Sequence, residues 1–459
     1  MSDMRSTKPY SIAKRVVWEA YQVVRANRGV AGVDDETMAM FEQSLSGNLY
    51  ELWNCMSSGT YFPPPMRQVW IPEAKGGTRQ AGIPTVADRM AQSVVKLMIE
   101  PTLDPIFHDD SYGYQPGKSA KQAVAVTRTR CWKYNWFVEF DIRAAFDQID
   151  HALLMKAVRR HIKESWILLY FERWLTAPFE TAEWASLSRT RRTRQGGVLS
   201  PILMNLFMHC AFDSWMQRTW PQYPFARYAD DAVVHCRSLA ETESVMRAIA
   251  SRLEECGLTM HPEKSKIVYC KDSNCTGAYP NVQFAFLGFT FRPRVALSKH
   301  QRRFTSFLPA VSGDALKRMR QTVRSWRIHR QTSTTLVERA QQCNMMMQGG
   351  LLRSVLWIAV HGFFGYVDQR LEQWALRKYK RLRQLKQRSQ EWLYKMAAFI
   401  PGCSSTGVSL EERLDNGGRM TRECQVRFCE RLAARLPGST HHTGDGQLSV
   451  SSNLTVSAT

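Results

Sequence analysis

The chain is 459 residues long, room for two to four domains. Its 44% hydrophobic and 11% aromatic content excludes a disordered chain and suits a folded enzyme. The formal net charge of +21 is concentrated, because residues 291–390 hold 21 Lys/Arg against 4 Asp/Glu, and such a block favours a nucleic-acid surface over a general solubility device.

A membrane surface is the weaker match for that block, which lacks a long, purely apolar face. The 11 cysteines form no CxxC pair, and several, such as Cys210 and Cys236, sit in apolar contexts suited to buried free thiols. The chain therefore reads as reduced and cytoplasmic. No apolar run reaches membrane-span length, and the N-terminus carries no signal-peptide pattern.

In chain order, the spacing of Ile12, Val16, Val17, Ala20, Val23 and Val24 predicts an amphipathic helix over 11–27, ended by Gly29. Residues 61–84 are strand-like, interrupted by Pro63-Pro64-Pro65 and by Gly76-Gly77. Residues 87–99 read as a helix stopped by Pro101. Residues 137–142 read as a buried strand with Val138, Phe140 and Ile142 on the core face and Asp141 on the other. Ser200-Pro201 reads as an N-cap with Pro at the first helical position, opening a helix through about 216. Residues 240–256 read as a helix closed by Gly257. Beyond 291 the pattern turns helical and basic, with helices expected over 315–330, 335–347 and 367–388. Residues 401–459, with much Ser, Thr and Gly and little periodicity, read as a disordered tail.

The chemistry concentrates on acids. Phe225-Ala226-Arg227-Tyr228 and Ala232-Val233-Val234-His235 flank Asp230-Asp231, which predicts a strand, a tight turn and a strand with both acids at the tip. Hairpin turns favour Asn-Gly or Asp-Gly, because the backbone needs positive φ. Two adjacent carboxylates need another reason, and a divalent cation supplies one. Alone, such a pair reads as a solvated bend, and Asp141 alone reads equally well as a helix cap. Together, Asp141, Asp230 and Asp231 could form a pocket for hard cations such as Mg²⁺. Two such ions about 4 Å apart clamp the attacking and leaving oxygens of a phosphoryl transfer.

The order of the motifs carries more than any one of them. Gly82-Ile83-Pro84, Asp88-Arg89 and Ser111-Tyr112-Gly113-Tyr114 precede Asp141. Arg194-Gln195-Gly196-Gly197-Val198-Leu199-Ser200-Pro201, Tyr228-Ala229-Asp230-Asp231, Pro262-Glu263-Lys264-Ser265-Lys266 and Phe286-Leu287-Gly288-Phe289 follow it. From about residue 27 to 401 this series resembles the reverse transcriptase family, and within it the group II intron-encoded reverse transcriptase/maturases.

The resemblance implies an α+β right-hand polymerase of fingers and palm, followed by an α-helical thumb or maturase domain. It divides the chain into an N-terminal extension with fingers (1–135), a palm with the catalytic acids (136–295), a helical RNA-binding thumb (296–400) and the tail (401–459). It makes Asp141, Asp230 and Asp231 the metal ligands of a two-Mg²⁺ site. Phe146 matches the aromatic gate that rejects a ribose 2′-OH, and Gln195 the residue under the nascent base pair. Gly196 and Gly197 would let backbone approach template and nucleotide. Lys75 and Arg79 resemble the finger cations that grip the triphosphate, and Lys264 the lysine proposed to protonate pyrophosphate. Phe286-Leu287-Gly288 looks like the primer grip. The family often has Pro where this chain has Arg194, Arg-Pro-Leu-Gly at Arg79-Gln80-Ala81-Gly82, and Phe-Arg-Pro-Gly-Arg at Tyr114-Gln115-Pro116-Gly117-Lys118. These departures spare the acids and touch substrate affinity and template grip.

The thumb stretch interleaves Leu371, Trp374, Ala375 and Tyr379 with Arg377, Lys378, Lys380, Arg381, Arg383 and Lys386. An arginine-rich helical face with aromatics suits structured RNA. Cys403, Cys424 and Cys429 with His441-His442 do not match the paired-cysteine endonuclease of larger family members, which reads as absent. Residues 418–429 resemble the translated hairpin of an intron's catalytic RNA. The partners expected are the parent intron RNA, an RNA template with a DNA primer or target DNA, and deoxynucleoside triphosphates, with no membrane and with a homodimer allowed. Two alternatives stand beside this reading: a splicing-only maturase without polymerase activity, and a reverse transcriptase recruited to host defence.

Overall fold

The computed structural model describes residues 8–27, 29–72, 78–180, 196–275, 277–297, 302–333, 338 and 361–379. The chain divides into two compact units, residues 1–269 and 270–459.

The first unit opens with α1 (Lys14–Ala26), α2 (Met38–Gln43) and α3 (Leu45–Ser58). The stripe on α1 is narrower than its sequence suggests: Val17, Ala20, Tyr21 and Val24 are buried, whereas Val23 is exposed. Three strands follow the fingers pattern. β1 (Met66–Pro72) and β2 (Thr78–Ile83) form an antiparallel ladder, and β4 (Phe179–Glu180) joins β1 in parallel.

The helix α4 (Val86–Leu103) is the spine of this region, and α1, α3 and α9 (Ser200–Met208) pack against it. Thr85 caps it by accepting from the Asp88 N–H at 3.1 Å. Pro101 does not stop α4; the last turn runs through it to Leu103, which is fully buried. Burial of a leucine-sized side chain contributes about 1.5–3 kcal/mol, enough to offset a poor residue in a terminal turn.

Helix α5 (Ala120–Arg130) leads into β3 (Trp136–Phe140). The one-turn α6 (Ala145–Gln148), α7 (His151–His161) and α8 (Ser165–Thr176) follow. Helix α9 starts one residue earlier than its sequence suggests: Leu199 is the cap residue and Ser200 is already helical. It then widens into a π-turn over His209–Asp213 before α10 (Ser214–Thr219). Strands β5 (Phe225–Tyr228) and β6 (Asp231–Cys236), helix α11 (Leu239–Glu255) and β7 (Lys266–Tyr269) complete the unit. Ser238 and Glu241 form a capping box at the start of α11, and Gly257 follows its end with φ +73.

The palm sheet has the order β5-β6-β3-β7, and every pairing is antiparallel. β3 is central, so Phe137, Val138 and Phe140 are all buried rather than one alternating face. Helix α11 covers β3, β6 and β7, while Phe212 from the π-turn meets Phe140 and Phe225 edge-on at 5.2 and 5.1 Å.

The second unit corrects the expectation that the chain turns helical beyond 291. β8 (Phe284–Phe286), β9 (Phe289–Leu297) and β10 (Arg303–Val311) form an antiparallel sheet. Its core is aromatic: Phe284 stacks on Phe291 at 4.5 Å and on Phe307 at 6.1 Å, all three buried. The arginines there obscure a strand with an aromatic inner face. Residue 295 lies inside β9, so this strand runs across the palm–thumb boundary expected from sequence. Helix α12 (Gly313–Ser325) ends before 330, because Arg327 turns left-handed at φ +47 and a 3₁₀ turn follows. Helix α13 (His361–Lys378) buries Phe363, Val367, Leu371, Trp374 and Ala375, and α12 packs against it. The expected helix over 335–347, the residues beyond 379, the tail and its cysteines lie outside the described residues.

Candidate active site

Asp141 leaves the C-terminal end of β3, and the following loop is zipped to residues 259–261. Ile142 bridges Met260, the Arg143 N–H donates to the Thr259 carbonyl at 2.9 Å, and the His261 N–H donates to the Asp141 carbonyl at 2.8 Å. The Asp141 N–H donates to Ser265 Oγ at 3.3 Å. Its N–H and its carbonyl are thus both held by the 259–265 segment.

Asp230 and Asp231 come from the β5–β6 hairpin. Tyr228 pairs with Asp231, leaving Ala229 and Asp230 as the turn. Asp231 is therefore the first residue of β6, not part of the tip. The left-handed backbone falls on Ala229, at φ +57. A residue with a Cβ pays about 1–2 kcal/mol there, so surrounding contacts must hold the turn. Because Phe140 pairs with Ala232, the next positions, Asp141 and Asp231, lie side by side at the same end of neighbouring strands.

The carboxylates influence one another. Burial raises the Asp230 carboxyl above its ordinary value; a hydrogen bond from its own backbone opposes this and the Asp141 charge adds to it. Asp231 is pushed up to about 7 by dense surrounding protein, then by Asp230 and Asp141. Asp231 is nevertheless an exposed residue. The Lys264 ammonium donates to Asp141 Oδ2 at 2.5 Å and draws both carboxyls back down. Among the described residues no set of three or more Asp, Glu, His or Cys converges at metal-ligand spacing. The three acids are nevertheless close enough to perturb one another. The donor chemistry fits a hard divalent cation: carboxylate oxygens only, with a lysine ammonium already seated on one of them.

The Gly196 segment approaches β2 closely. Gly196 has φ +108, and a Cβ there would lie 2.1 Å from the Gly82 carbonyl oxygen. The loop is tied to α4 through Gln92, whose Oε1 accepts from the Val198 and Leu199 N–H groups at 2.8 and 3.4 Å. Gln92 Nε2 donates to the buried Asp88, which also accepts from Tyr61 Oη and Trp174 Nε1, each at 2.7 Å. Phe146 is half-buried on α6 after the left-handed Ala144, and Gln148 Oε1 accepts from the Thr259 N–H at 2.7 Å. Arg79 is placed on β2 by its backbone, opposite Ile71; Lys75 and Gln195 lie outside the described residues. Phe286-Leu287-Gly288-Phe289 is the β8–β9 turn, with Leu287 and Gly288 both at positive φ and both phenylalanines buried.

Sequence reading missed the support beneath the hairpin: Gly113, Asn205, Asp213 and the side chain of Arg227. The signal was present. Arg227 and Asp213 each interrupt an apolar run, and fully buried charges occur in pairs.

A palm of four antiparallel strands that brings Asp141 beside an Asp230-Asp231 hairpin defines a templated nucleotide polymerase fold. In agreement, residues 71–291 match the family model "Reverse transcriptase (RNA-dependent DNA polymerase)", and the α+β reverse transcriptase fold is the one this chain adopts. The group II intron-encoded protein LtrA of Lactococcus lactis subsp. cremoris is 30% identical over 203 residues, 44% of this chain and 33% of LtrA. Protein YkfC of Escherichia coli (strain K12) is 28% identical over 299 residues, 55% of this chain and 77% of YkfC. Nuclear intron maturase 1, mitochondrial, of Arabidopsis thaliana is 25% identical over 85 residues, 18% of this chain and 12% of that protein. Over these stretches the chain is similar to reverse transcriptases and to group II intron-encoded proteins. It spans about a third of the length of LtrA. Among the described residues no helix is long and apolar enough to cross a membrane.

Proposed function

We propose that this protein is an RNA-directed DNA polymerase of a group II intron, working by a two-Mg²⁺ mechanism, and also a maturase that binds the intron RNA to promote splicing and mobility. The observation that carries the polymerase reading is the placement of Asp141 beside Asp231, with Asp230 in the adjoining turn, inside a domain matched as a reverse transcriptase. Asp141, Asp230 and Asp231 would hold the ions. The chemistry such a pair supplies is Lewis-acid activation of a primer 3′-hydroxyl and neutralisation of phosphate charge.

The chain's own residues do the rest. Asp141 is held at its carbonyl by the His261 N–H and at its N–H by Ser265 Oγ, which orders the backbone that carries its carboxylate. Lys264, which donates to Asp141 Oδ2, would give a proton to departing pyrophosphate. Phe146 excludes a ribose 2′-OH, Lys75 and Arg79 bind the triphosphate, and Gln195 with Gly196 supports the nascent pair. The maturase reading is supported by the arginine-rich stretch 291–390 and by intron-encoded relatives. Partners are then intron RNA, a template–primer or target DNA and deoxynucleoside triphosphates, in the cytoplasm, with a homodimer allowed. Primer extension by the purified protein on an RNA template tests the polymerase. Extension that needs template and deoxynucleotides is expected, and binding without extension in Mg²⁺ would refute it.

A further inference from the structure

The hairpin that carries Asp230 rests on a single buried guanidinium. Arg227 lies on β5 with its side chain fully buried, and all five of its N–H donors are used. Nε and Nη2 donate to the two oxygens of Asp213, at 2.7 and 2.6 Å. Nη2 also donates to Ser111 Oγ at 2.8 Å. Nη1 donates to Asn205 Oδ1 at 3.2 Å and to the carbonyl of Ala229 at 2.7 Å. That last carbonyl belongs to the peptide joining the left-handed Ala229 to Asp230.

The frame around this group closes on itself. Asn205 also donates to the Gly113 carbonyl, and Gly113 sits so close beneath Ala229 that a Cβ would fall 2.5 Å from the Ala229 nitrogen. The Tyr112 N–H donates to the Arg227 carbonyl at 2.8 Å, and the Arg227 N–H donates to the Asp110 carbonyl at 2.9 Å. Asp213 ends the π-turn between α9 and α10, a local widening of the kind that re-aims side chains at functional sites. A fully buried ion pair is weak support for stability, since well-packed apolar residues do as well. What this pair provides is direction: it fixes one carbonyl of a strained turn.

We propose that Arg227, framed by Asp213, Asn205 and Ser111, is a positioning residue that sets the Ala229–Asp230 peptide and so aims the Asp230 carboxylate. The inference rests on the polymerase reading of the site. Lysine keeps the charge but cannot make five fixed bonds. In the full-length protein, Arg227→Lys is expected to lower kcat about 100-fold at saturating deoxynucleotide while leaving the nucleotide KM and RNA affinity near wild type. Mn²⁺ affinity, read by electron paramagnetic resonance without turnover, should fall about tenfold. Ser111→Ala removes one bond of five and should give a smaller loss in both readouts, with an unchanged melt.

Folded Arg227→Lys with wild-type Mn²⁺ affinity and kcat overturns the proposal. If that variant fails to fold, Ser111→Ala and Asn205→Ala decide: wild-type Mn²⁺ affinity and kcat in both overturn it equally. Asp230→Ala is run alongside. Extension lost there but intact in the Arg227 and Ser111 variants removes only this inference; extension retained in Asp230→Ala removes the polymerase reading with it.

Discussion

Gly113→Ala puts a methyl group against the backbone of the β5–β6 turn that carries Asp230. The added Cβ would lie 2.5 Å from the Ala229 nitrogen and 3.2 Å from the Tyr228 carbonyl carbon, whereas ordinary contact begins at 3.4 Å. Both obstacles are backbone, so no side chain can swing away. Relief requires the β5–β6 turn and the 111–114 segment to separate by about 1 Å. Overpacking of this kind costs about 1–3 kcal/mol of stability. A displacement of about 1 Å at a reacting centre costs about 100-fold in rate, equivalent to about 2.7 kcal/mol in activation free energy. Single-turnover primer extension at saturating deoxynucleotide, paired with a thermal melt, separates the two effects. A Gly113→Ala protein that melts and extends like wild type would refute the idea that the 111–114 segment fixes the turn.

Gln92→Leu strands the Val198 and Leu199 N–H groups and the Asp88 oxygen that Gln92 now satisfies, at about 1–3 kcal/mol for each buried group left unpaired. A raised nucleotide KM with a smaller change in kcat is expected from steady-state kinetics; an unaltered KM would detach the 196–199 loop from substrate binding. His235 is fully buried, neither ring nitrogen has a hydrogen-bond partner among the described residues, and burial lowers its pKa from 6.5 to about 3. The unfolded chain binds the proton that the folded one refuses, so stability is lost as pH falls below 6.5, by up to about 1.4 kcal/mol per pH unit. Urea titrations should show His235→Leu losing less stability than wild type between about pH 7 and about pH 5, and equal losses would contradict the assignment. Asp231 has the opposite sign. Its carboxyl, raised from 3.8 to about 7, favours folding at acid pH, and that contribution fades as pH rises towards about 7. Cation binding needs the ionised form, so the Mg²⁺ half-saturation of extension should fall as pH rises through about 7, and a flat profile would count against Asp231 as a ligand.

The three acids proposed for catalysis stand out in the sequence because their pattern is local: an Asp-Asp pair between apolar runs, and Asp141 at a strand end. Gly196 was legible because its conformation excludes side chains. What escaped were features set by tertiary packing. Arg227 looks like a surface arginine until Asp213, more than a dozen residues upstream, closes over it. The last turn of α4 tolerates Pro101 because Leu103 is buried behind it. β9 and β10 were hidden because their charged residues match a helical reading, while Phe291 and Phe307 reveal themselves only when the strands pair. Ser200 was a sound cap by composition, yet the buried Leu199 takes the cap position and Ser200 is already helical.

The central claim is that Asp230, presented by the β5–β6 turn beside Asp141, is a catalytic acid of DNA synthesis on RNA. Primer extension by Asp230→Ala, with RNA affinity measured on the same preparation, tests it most directly. Loss of cDNA synthesis with RNA binding retained is the expected result; extension at the wild-type rate would contradict the account.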